Sequence, residues 1–132
     1  MEAGGSTTQR KRILIIDDEN DIREVAALAL ETAGDFDVVT ANGGRAGLIA
    51  ARDRHPDLIL LDVMMPELDG PSTFQELRRS DATRSIPVIF LTAKVQTADR
   101  QRLSDLGALG ILAKPFDPMR LAGDIAAIAG WS

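Results

Sequence analysis

The chain has 132 residues, of which 45% are hydrophobic and 27% are charged, and this is the composition of one ordinary globular domain. Its net charge of −5 argues against direct binding to nucleic acid phosphates, and the absence of cysteine excludes disulfides, thiolate catalysis and cysteine-based metal sites. Its apolar runs are too short to span a membrane, and the N-terminus lacks the apolar core of a signal peptide, so a cytoplasmic location is expected.

The start of the chain is expected to lie outside the folded domain. Residues 1–10 are polar and rich in Gly, Ser and Thr, and this composition predicts a flexible leader. Residues 11–130 are expected to form one domain, because no repeat, low-complexity tract or linker divides them. Since the chain stops after the last predicted helix, no output domain is expected in it.

The first half of the domain is predicted to contain three strands and two helices. The apolar run 13–16 predicts a strand, and residues 36–41 predict a shorter, more polar strand of the kind found at a sheet edge. Between them, apolar residues recur at helical spacing. A second helix is predicted over 43–55, and a buried strand over 57–61. The residues of the second helix expected to face the core are Ala46, Ile49 and Ala50.

The second half continues the same alternation. Residues 65–70 are a loop by their Pro and Gly content, and a third helix follows. Strands are predicted at 88–91 and 111–113, separated by a helix at about 96–106 whose apolar stripe is thin. Asp117 is expected to cap the last helix. The residues expected to form the buried face of that helix are Met119, Leu121, Ala122, Ile125 and Ile128.

Strict alternation of strands and helices predicts an α/β fold with a doubly wound, five-stranded parallel sheet and five helices. Short, continuous apolar runs are typical of parallel strands that are covered on both faces. With right-handed crossovers, the strand order 2-1-3-4-5 is one common solution. In that order the first and third strands are neighbours at the point where ligands bind outside the carboxyl ends of the strands.

Four of the five predicted strands end on polar residues. Asp17 and Asp18 follow the first strand, Asp62 the third, Thr92 the fourth and Lys114 the fifth. Each residue alone could be structural, as a helix cap, a turn residue or a solvated lysine. Because the carboxyl ends of parallel strands share one edge, their joint occurrence predicts a single site.

The chemistry of this set points to phosphoryl transfer. Three carboxylates at one edge repel one another, and a hard divalent cation relieves that repulsion. Mg²⁺ is the expected metal, with Mn²⁺ as an alternative, because such ions bind carboxylate and phosphate oxygens. A carboxylate that the metal does not fully use can act as a nucleophile, while a lysine and a hydroxyl hold phosphoryl oxygens.

These residues resemble the signature of response-regulator receiver domains of two-component signalling, of the chemotaxis-regulator type. The matching positions are Asp17-Asp18, Asp62 with Met65-Pro66 and Gly70, Thr92-Ala93, and Lys114-Pro115-Phe116. The resemblance covers about residues 11–129 and implies a flavodoxin-like fold.

The resemblance also implies roles for individual residues. Asp62 would be the phosphoacceptor, and Thr92 and Lys114 would contact the phosphoryl group. The metal would be bound by Asp17, Asp18 and Asp62 together with the backbone carbonyl of Met64. The peptide bond between Lys114 and Pro115 would be cis, which X–Pro bonds tolerate at low cost.

Three further positions set expectations about the switch. Many receivers carry Tyr or Phe three residues before the lysine, and its ring moves inward; here Ile111 is stiff at χ1, so no ring movement is expected. Met64 and Lys94 lie two residues after Asp62 and Thr92. Since methionine has no polar group that orients water and Lys94 could reach phosphoryl oxygens, self-hydrolysis is expected to be slow.

The expected function is a phosphorylation-dependent signalling switch. Asp62 would take a phosphoryl group from a histidine kinase or histidine phosphotransfer protein, and the signal would pass through the fourth helix, fifth strand and fifth helix. Such a protein is a regulator that catalyses only its own phosphorylation and slow dephosphorylation. One alternative is a receiver-like scaffold that works without phosphate, which Ile111 keeps open. A magnesium-dependent aspartyl-phosphate phosphatase is disfavoured, because such enzymes resemble a D-x-D motif and Met64 replaces its second acid.

The remaining expectations concern partners. The kinase or phosphotransfer protein would act upstream, and a separate effector protein or an output domain outside this chain would act downstream. No direct contact with nucleic acid or membrane is expected. The chain would be a monomer or a dimer that depends on phosphorylation.

Overall fold

The computed structural model describes residues 10–93 and 96–131. Within these ranges, five strands alternate with five helices. In chain order they are β1 (Arg12–Ile16), α1 (Asn20–Thr32), β2 (Asp37–Ala41), α2 (Gly44–Arg54), β3 (Leu58–Asp62), α3 (Gly70–Arg79), β4 (Val88–Thr92), α4 (Thr97–Asp105), β5 (Gly110–Ala113) and α5 (Pro118–Ala129). In the described part of the chain, no helix is both long and apolar enough to cross a membrane. The expected leader, 1–10, lies outside the described residues except for Arg10.

The five strands form one parallel sheet in the order β2-β1-β3-β4-β5, as the sequence predicts. β1 and β3 pair directly, with Ile16 opposite Leu61, and β4 pairs with β3 on the other side. This pairing brings the carboxyl ends of β1, β3 and β4 together at one edge. The predicted class of fold, an α/β doubly wound sheet with five helices, is confirmed.

Side chains of the central strands alternate between two buried clusters. One cluster joins alternate strand residues, such as Ile13 and Leu60, to α1 and α5. The other joins the intervening residues, such as Ile16 and Leu61, to α2, α3 and α4. Because both faces are covered, β3 and β4 are buried along their whole length, and each is a continuous apolar run up to its last residue, Asp62 or Thr92.

The helices α3 and α5 begin with the same local structure. Asp69 accepts a hydrogen bond from the backbone N–H of Ser72, and Asp117 accepts one from the backbone N–H of Met119. A proline opens the first turn of each helix, where its missing N–H has no intrahelical partner to lose. The predicted cap at Asp117 is therefore confirmed.

The predicted inner face of α2 is wrong at two of its three positions. Ala46 and Ile49 are exposed, whereas Ala50 is partly buried against the second cluster. The residues of α2 that are buried are Gly44, Gly47 and Ala51. A Cβ atom at Gly47 would overlap the side chain of Ile16, so the helix packs on the sheet through its backbone. Apolar periodicity does not detect a face made of glycine, because it looks for large side chains.

The expected burial of Met119 is also wrong, since its side chain is 84% exposed. Met119 belongs to the first turn of α5, whereas the buried residues of that helix begin two positions later. The buried residues of α5 are Leu121, Ala122 and Ile125.

Candidate functional site

The two buried acids of the site are fixed by the strands that carry them. Asp17 directly follows β1, where its backbone N–H donates to the carbonyl of Ala41. Its Oδ1 atom accepts a hydrogen bond of 2.9 Å from the backbone N–H of Glu19. Asp62 is the last residue of β3, and its Cα pairs with that of Leu91 in β4. Both carboxylates therefore belong to the tightly packed centre of the sheet.

There is no space for a side chain at Gly70, where the loop after β3 leads into α3. Gly70, the first residue of α3, donates its backbone N–H to the carbonyl of Val63 at 2.8 Å. A Cβ atom at Gly70 would overlap the backbone carbonyl of Asp62. Glycine is thus required where α3 begins against the end of β3, and it holds the backbone of Asp62 in place.

Lys114 connects the acids of the site. Its backbone N–H, just after β5, donates to the carbonyl of Thr92 at 2.9 Å. Its side chain is only 13% exposed, and its Nζ atom lies 3.1 Å from an oxygen of each of three carboxylates. These oxygens are Asp17 Oδ2, Glu19 Oε1 and Asp62 Oδ1. The peptide bond between Lys114 and Pro115 is cis, as the resemblance implies.

The surroundings of these groups perturb their proton affinities. Burial, together with the neighbouring charge of Asp17, raises the pKa of Asp62 from 3.8 to about 6, although Lys114 and a backbone hydrogen bond from Met64 act in the opposite direction. Burial alone would lower the pKa of Lys114, but its contacts with the three carboxylates outweigh that effect and raise it. At neutral pH the site therefore holds an ionised lysine beside an aspartate whose charge is poorly compensated.

The donor set fits a hard divalent cation. One oxygen from each of Asp17, Asp18 and Asp62 lies within 4.8 Å of the others. Among the described residues, neither Asp17 Oδ2 nor Asp62 Oδ2 accepts a hydrogen bond, although Asp17 Oδ2 forms an ion pair with Lys114 at 3.1 Å, and both atoms are buried. Buried carboxylate oxygens without donors are costly, and Mg²⁺ binds such oxygens preferentially. The three acids can thus hold the metal that the sequence predicts.

The other residues singled out in the sequence lie around this cluster. Thr92 is the last residue of β4, and its side chain is buried. Met64 is 64% exposed, and with Thr92 it lines a cavity of about 530 Å³ that α4 closes on one side. Ala93 and Pro115 are exposed, while Ile111 is partly buried in β5 against the second cluster. Lys94 lies outside the described residues.

Sequence reasoning missed Glu19, whose side chain hydrogen-bonds Lys114. The two residues are 95 positions apart, and only the pairing of the strands brings them together. A signal was present nonetheless, because Glu19 directly follows Asp17 and Asp18 at the edge where the other polar residues meet.

Comparison with known proteins agrees with this arrangement. The family model of the response regulator receiver domain matches residues 13–126. The chain belongs to this family, and it is a receiver domain of a two-component response regulator. Receiver domains generally bind Mg²⁺ at an acidic pocket, and this chain has a cluster of three acids, Asp17, Asp18 and Asp62, at the edge of its sheet.

Individual relatives include proteins named as transcriptional regulators. The "DNA-binding dual master transcriptional regulator RpaA" of Synechocystis sp. is 43% identical over 117 residues, which are 89% of this chain and 48% of that protein. The "Phosphate regulon transcriptional regulatory protein PhoB" of Pseudomonas aeruginosa is 40% identical over 118 residues, or 89% of this chain and 51% of that protein. The chain thus spans about half the length of the curated relatives it matches.

Solved structures show the same fold. The chemotaxis response regulator CheY4 of Vibrio cholerae is 30% identical, with a TM-score of 0.84, and the match covers 91% of this chain and 99% of that chain. A putative response regulator from Chloroflexus aurantiacus is also 30% identical, with a TM-score of 0.83, and the match covers 92% and 99% of the two chains.

Proposed function

We propose that this receiver is a phosphorylation-dependent switch whose phosphoacceptor is Asp62. The observation that carries the proposal is the state of the Asp62 carboxylate: it is buried, its Oδ1 atom lies 3.1 Å from Lys114 Nζ, and its Oδ2 atom accepts no hydrogen bond from the described residues. With a pKa of about 6, the carboxylate is mostly ionised at neutral pH yet retains more basicity than an ordinary aspartate.

The transfer uses groups already in place. An oxygen of Asp62 forms a bond to phosphorus while the bond between phosphorus and the imidazole nitrogen of a phosphohistidine breaks. The imidazole keeps the electron pair of that bond. Lys114 Nζ, 3.1 Å from the Asp62 carboxylate, donates to a transferred phosphoryl oxygen, and the Thr92 hydroxyl at the end of the adjacent strand supplies a further donor. The phosphohistidine belongs to a histidine kinase or a histidine phosphotransfer protein.

The acid cluster holds the metal in this proposal. Asp17, Asp18 and Asp62 bind Mg²⁺ through carboxylate oxygens, and the backbone carbonyl of Met64 adds a further ligand; Mn²⁺ would serve in its place. When bound, the cation neutralises charge that develops on the phosphoryl oxygens. The protein residues position the nucleophile and the donors, and no external substrate is turned over.

The signal leaves the site through α4, β5 and α5. Lys114 follows β5 and Thr92 ends β4, so both loops next to α4 carry a group that contacts the phosphoryl oxygens. Contacts formed only in the phosphorylated state shift the equilibrium between two arrangements of these elements. Because Ile111 has no ring to move, the response is a displacement of backbone and helix. An effector protein or an output domain recognises this displacement. The protein stays a monomer or forms a dimer on phosphorylation.

Intact-mass measurement with acetyl phosphate and Mg²⁺ tests the proposal. The native chain should gain the mass of one phosphoryl group, and Asp62→Asn should gain none. Asp81→Asn is the matched control, since Asp81 is an exposed aspartate in the loop after α3, and it should react like the native chain. A phosphorylated Asp62→Asn chain, or equal reaction of the native chain in excess EDTA, would refute the proposal.

The same experiment separates the two alternatives. A scaffold that works without phosphate would leave the native chain unmodified under every condition. A phosphatase would release inorganic phosphate from added phosphomonoesters through many turnovers, whereas the proposed switch forms one acyl phosphate and hydrolyses it slowly.

A further inference from the structure

Glu19 lies beside the acidic site, where its side chain contacts Lys114. Lys114 Nζ donates a hydrogen bond of 3.1 Å to Glu19 Oε1. The Glu19 side chain is 60% exposed, whereas those of Asp17 and Asp62, which contact the same ammonium, are almost completely buried. Three carboxylates of very different solvent exposure thus surround one ammonium group.

The side chain of Glu19 has no other structural task in the described chain. Glu19 occupies the N-cap position of α1, but its side chain forms no capping hydrogen bond to the helix. Its backbone N–H holds Asp17 Oδ1 at 2.9 Å, and that bond survives any change of the side chain. Substituting the side chain therefore perturbs the contact with Lys114 and leaves the backbone support of Asp17 intact.

Lys114 is surrounded by carboxylates, and Glu19 is the one to which its Nζ atom donates a hydrogen bond among the described residues. An ammonium group has three N–H donors, and three carboxylate oxygens surround this one at 3.1 Å. A phosphoryl group on Asp62 that accepts a hydrogen bond from Lys114 therefore competes with the hydrogen bond that Glu19 accepts. Glu19 is the group that can leave, because it is exposed and water replaces its hydrogen bond at little cost.

We propose that Glu19 is a positioning residue that competes with the phosphoryl group for Lys114 and thereby weakens capture of phosphate by the site. The inference rests on the proposed acceptance of a phosphoryl group at Asp62. The negative charge of Glu19 also repels an anionic phosphoryl group while it attracts a cation to the adjacent acids. Glu19 therefore has opposite effects on the two species that the site binds.

Binding of beryllium fluoride, a mimic of the phosphoryl group on a carboxylate, provides the test. By calorimetry in saturating Mg²⁺, Glu19→Gln should bind beryllium fluoride about two- to fivefold more tightly than the native chain, the range expected for an exposed ion pair. The same variant should bind Mg²⁺ alone about two- to threefold more weakly, because one nearby negative charge is lost. A merely structural defect would weaken both equilibria together.

Two further variants complete the design. Glu24→Gln removes one charge from an exposed position of the same helix, and it should resemble the native chain in both titrations. Glu19→Ala removes the hydrogen-bond acceptor as well, and it should bind beryllium fluoride at least as tightly as Glu19→Gln.

The outcomes distinguish this inference from the function on which it rests. If the native chain binds beryllium fluoride and Glu19→Gln binds it equally or more weakly, the role of Glu19 is wrong while the function stands. Equal tightening in Glu24→Gln would also overturn it, since the effect would then be one of net charge. If the native chain fails to bind beryllium fluoride in Mg²⁺, the proposed function fails, and the inference fails with it.

Discussion

The centre of the sheet and the helix α4 differ in how firmly they are packed. β3 and β4 bury all ten of their residues, and they carry Asp62 and Thr92 at their ends. In α4, only Leu103 is buried among the residues of the helix, and the adjoining strand β5 has no fully buried residue. α3, on the same face of the sheet, buries four residues: Gly70, Thr73, Phe74 and Leu77.

This contrast separates two requirements of a switch. Charged groups can be kept in unfavourable proximity only where the backbone beneath them cannot relax, and β3 and β4 provide that support. An element that responds to the site must instead have a second arrangement of similar free energy, which a helix with one buried side chain can reach. From this difference in packing we expect β3 and β4 to hold the charged groups and α4 to transmit the signal in the proposed switch.

Substituting one leucine in each region by alanine tests this difference in packing most directly. Leu60→Ala, at a fully buried position of β3, should lower the free energy of unfolding by about 3 to 5 kcal/mol. Leu103→Ala, in α4, should lower it by only about 1 to 2 kcal/mol, because the loosely held helix can close over the gap. Urea denaturation measures both values, and equal losses would remove the basis of the contrast.

Two glycine substitutions test how tightly the end of β3 is packed near the site. Gly70→Ala places a methyl group against the backbone of Asp62 and should cost about 1 to 3 kcal/mol of stability. Gly123→Ala, in α5, meets nothing within 4 Å and should stabilise the chain by about 0.5 to 1 kcal/mol through helix propensity. Thermal unfolding of the two variants tests the packing, and a neutral Gly70→Ala would show that the end of β3 is adjustable.

Ionisation of the Asp62 carboxylate, at the end of β3, should make the stability of the chain depend on pH. The pKa of Asp62 in the folded state, about 6, is above its value of 3.8 without these surroundings. In the metal-free native chain, the contribution of Asp62 to the free energy of unfolding is therefore greatest below pH 3.8. That contribution is lost as the pH rises to about 6. Asp62→Asn has no such loss and should be more stable than the native chain by roughly 1 to 3 kcal/mol at pH 7.5.

Urea denaturation in EDTA between pH 4 and pH 8 measures this difference. The advantage of Asp62→Asn should disappear near pH 4, and Mg²⁺ should cancel it at pH 7.5 by stabilising only the native chain. A variant that is less stable than the native chain at pH 7.5 without metal would mean that the carboxylate is not destabilising.

The smallest expected effect concerns the exposed entrance to the site. Met64 offers no group that orients an attacking water molecule toward the phosphorus, so Met64→Asn should speed self-hydrolysis of the phosphorylated chain by about two- to tenfold. Met119→Asn, a substitution of an exposed methionine in α5, should have no effect. Loss of the phosphoryl mass over time gives both rates, and an unchanged rate in Met64→Asn would exclude this role for the position.

The sequence predicts the central sheet and the meeting of the polar residues better than it predicts the helices. Each buried strand is an apolar run that ends on a polar residue, so strand order alone brings Asp17, Asp62 and Lys114 together. The catalytic and metal-binding roles of these residues stay proposals. The strength of the prediction comes from the parallel sheet, in which one edge collects all carboxyl ends.

Two features escaped prediction because they depend on close approach in three dimensions. α2 packs through Gly44 and Gly47, which carry no apolar signal in the sequence. Glu19 joins the site through a hydrogen bond to Lys114, a contact that arises only after β5 has paired with β4. Patterns of side-chain type along the chain contain neither kind of information.

Amide hydrogen exchange of the phosphorylated and unphosphorylated native chain tests most directly whether phosphorylation of Asp62, at the end of β3, changes the structure of α4. With acetyl phosphate and Mg²⁺, exchange should change in α4 and β5, over residues 97–113, and should stay the same in β1 and in β3 up to Leu61. Asp62→Asn, treated in the same way, should show neither change. Exchange that changes only beside Asp62, with α4 unaffected, would contradict the account.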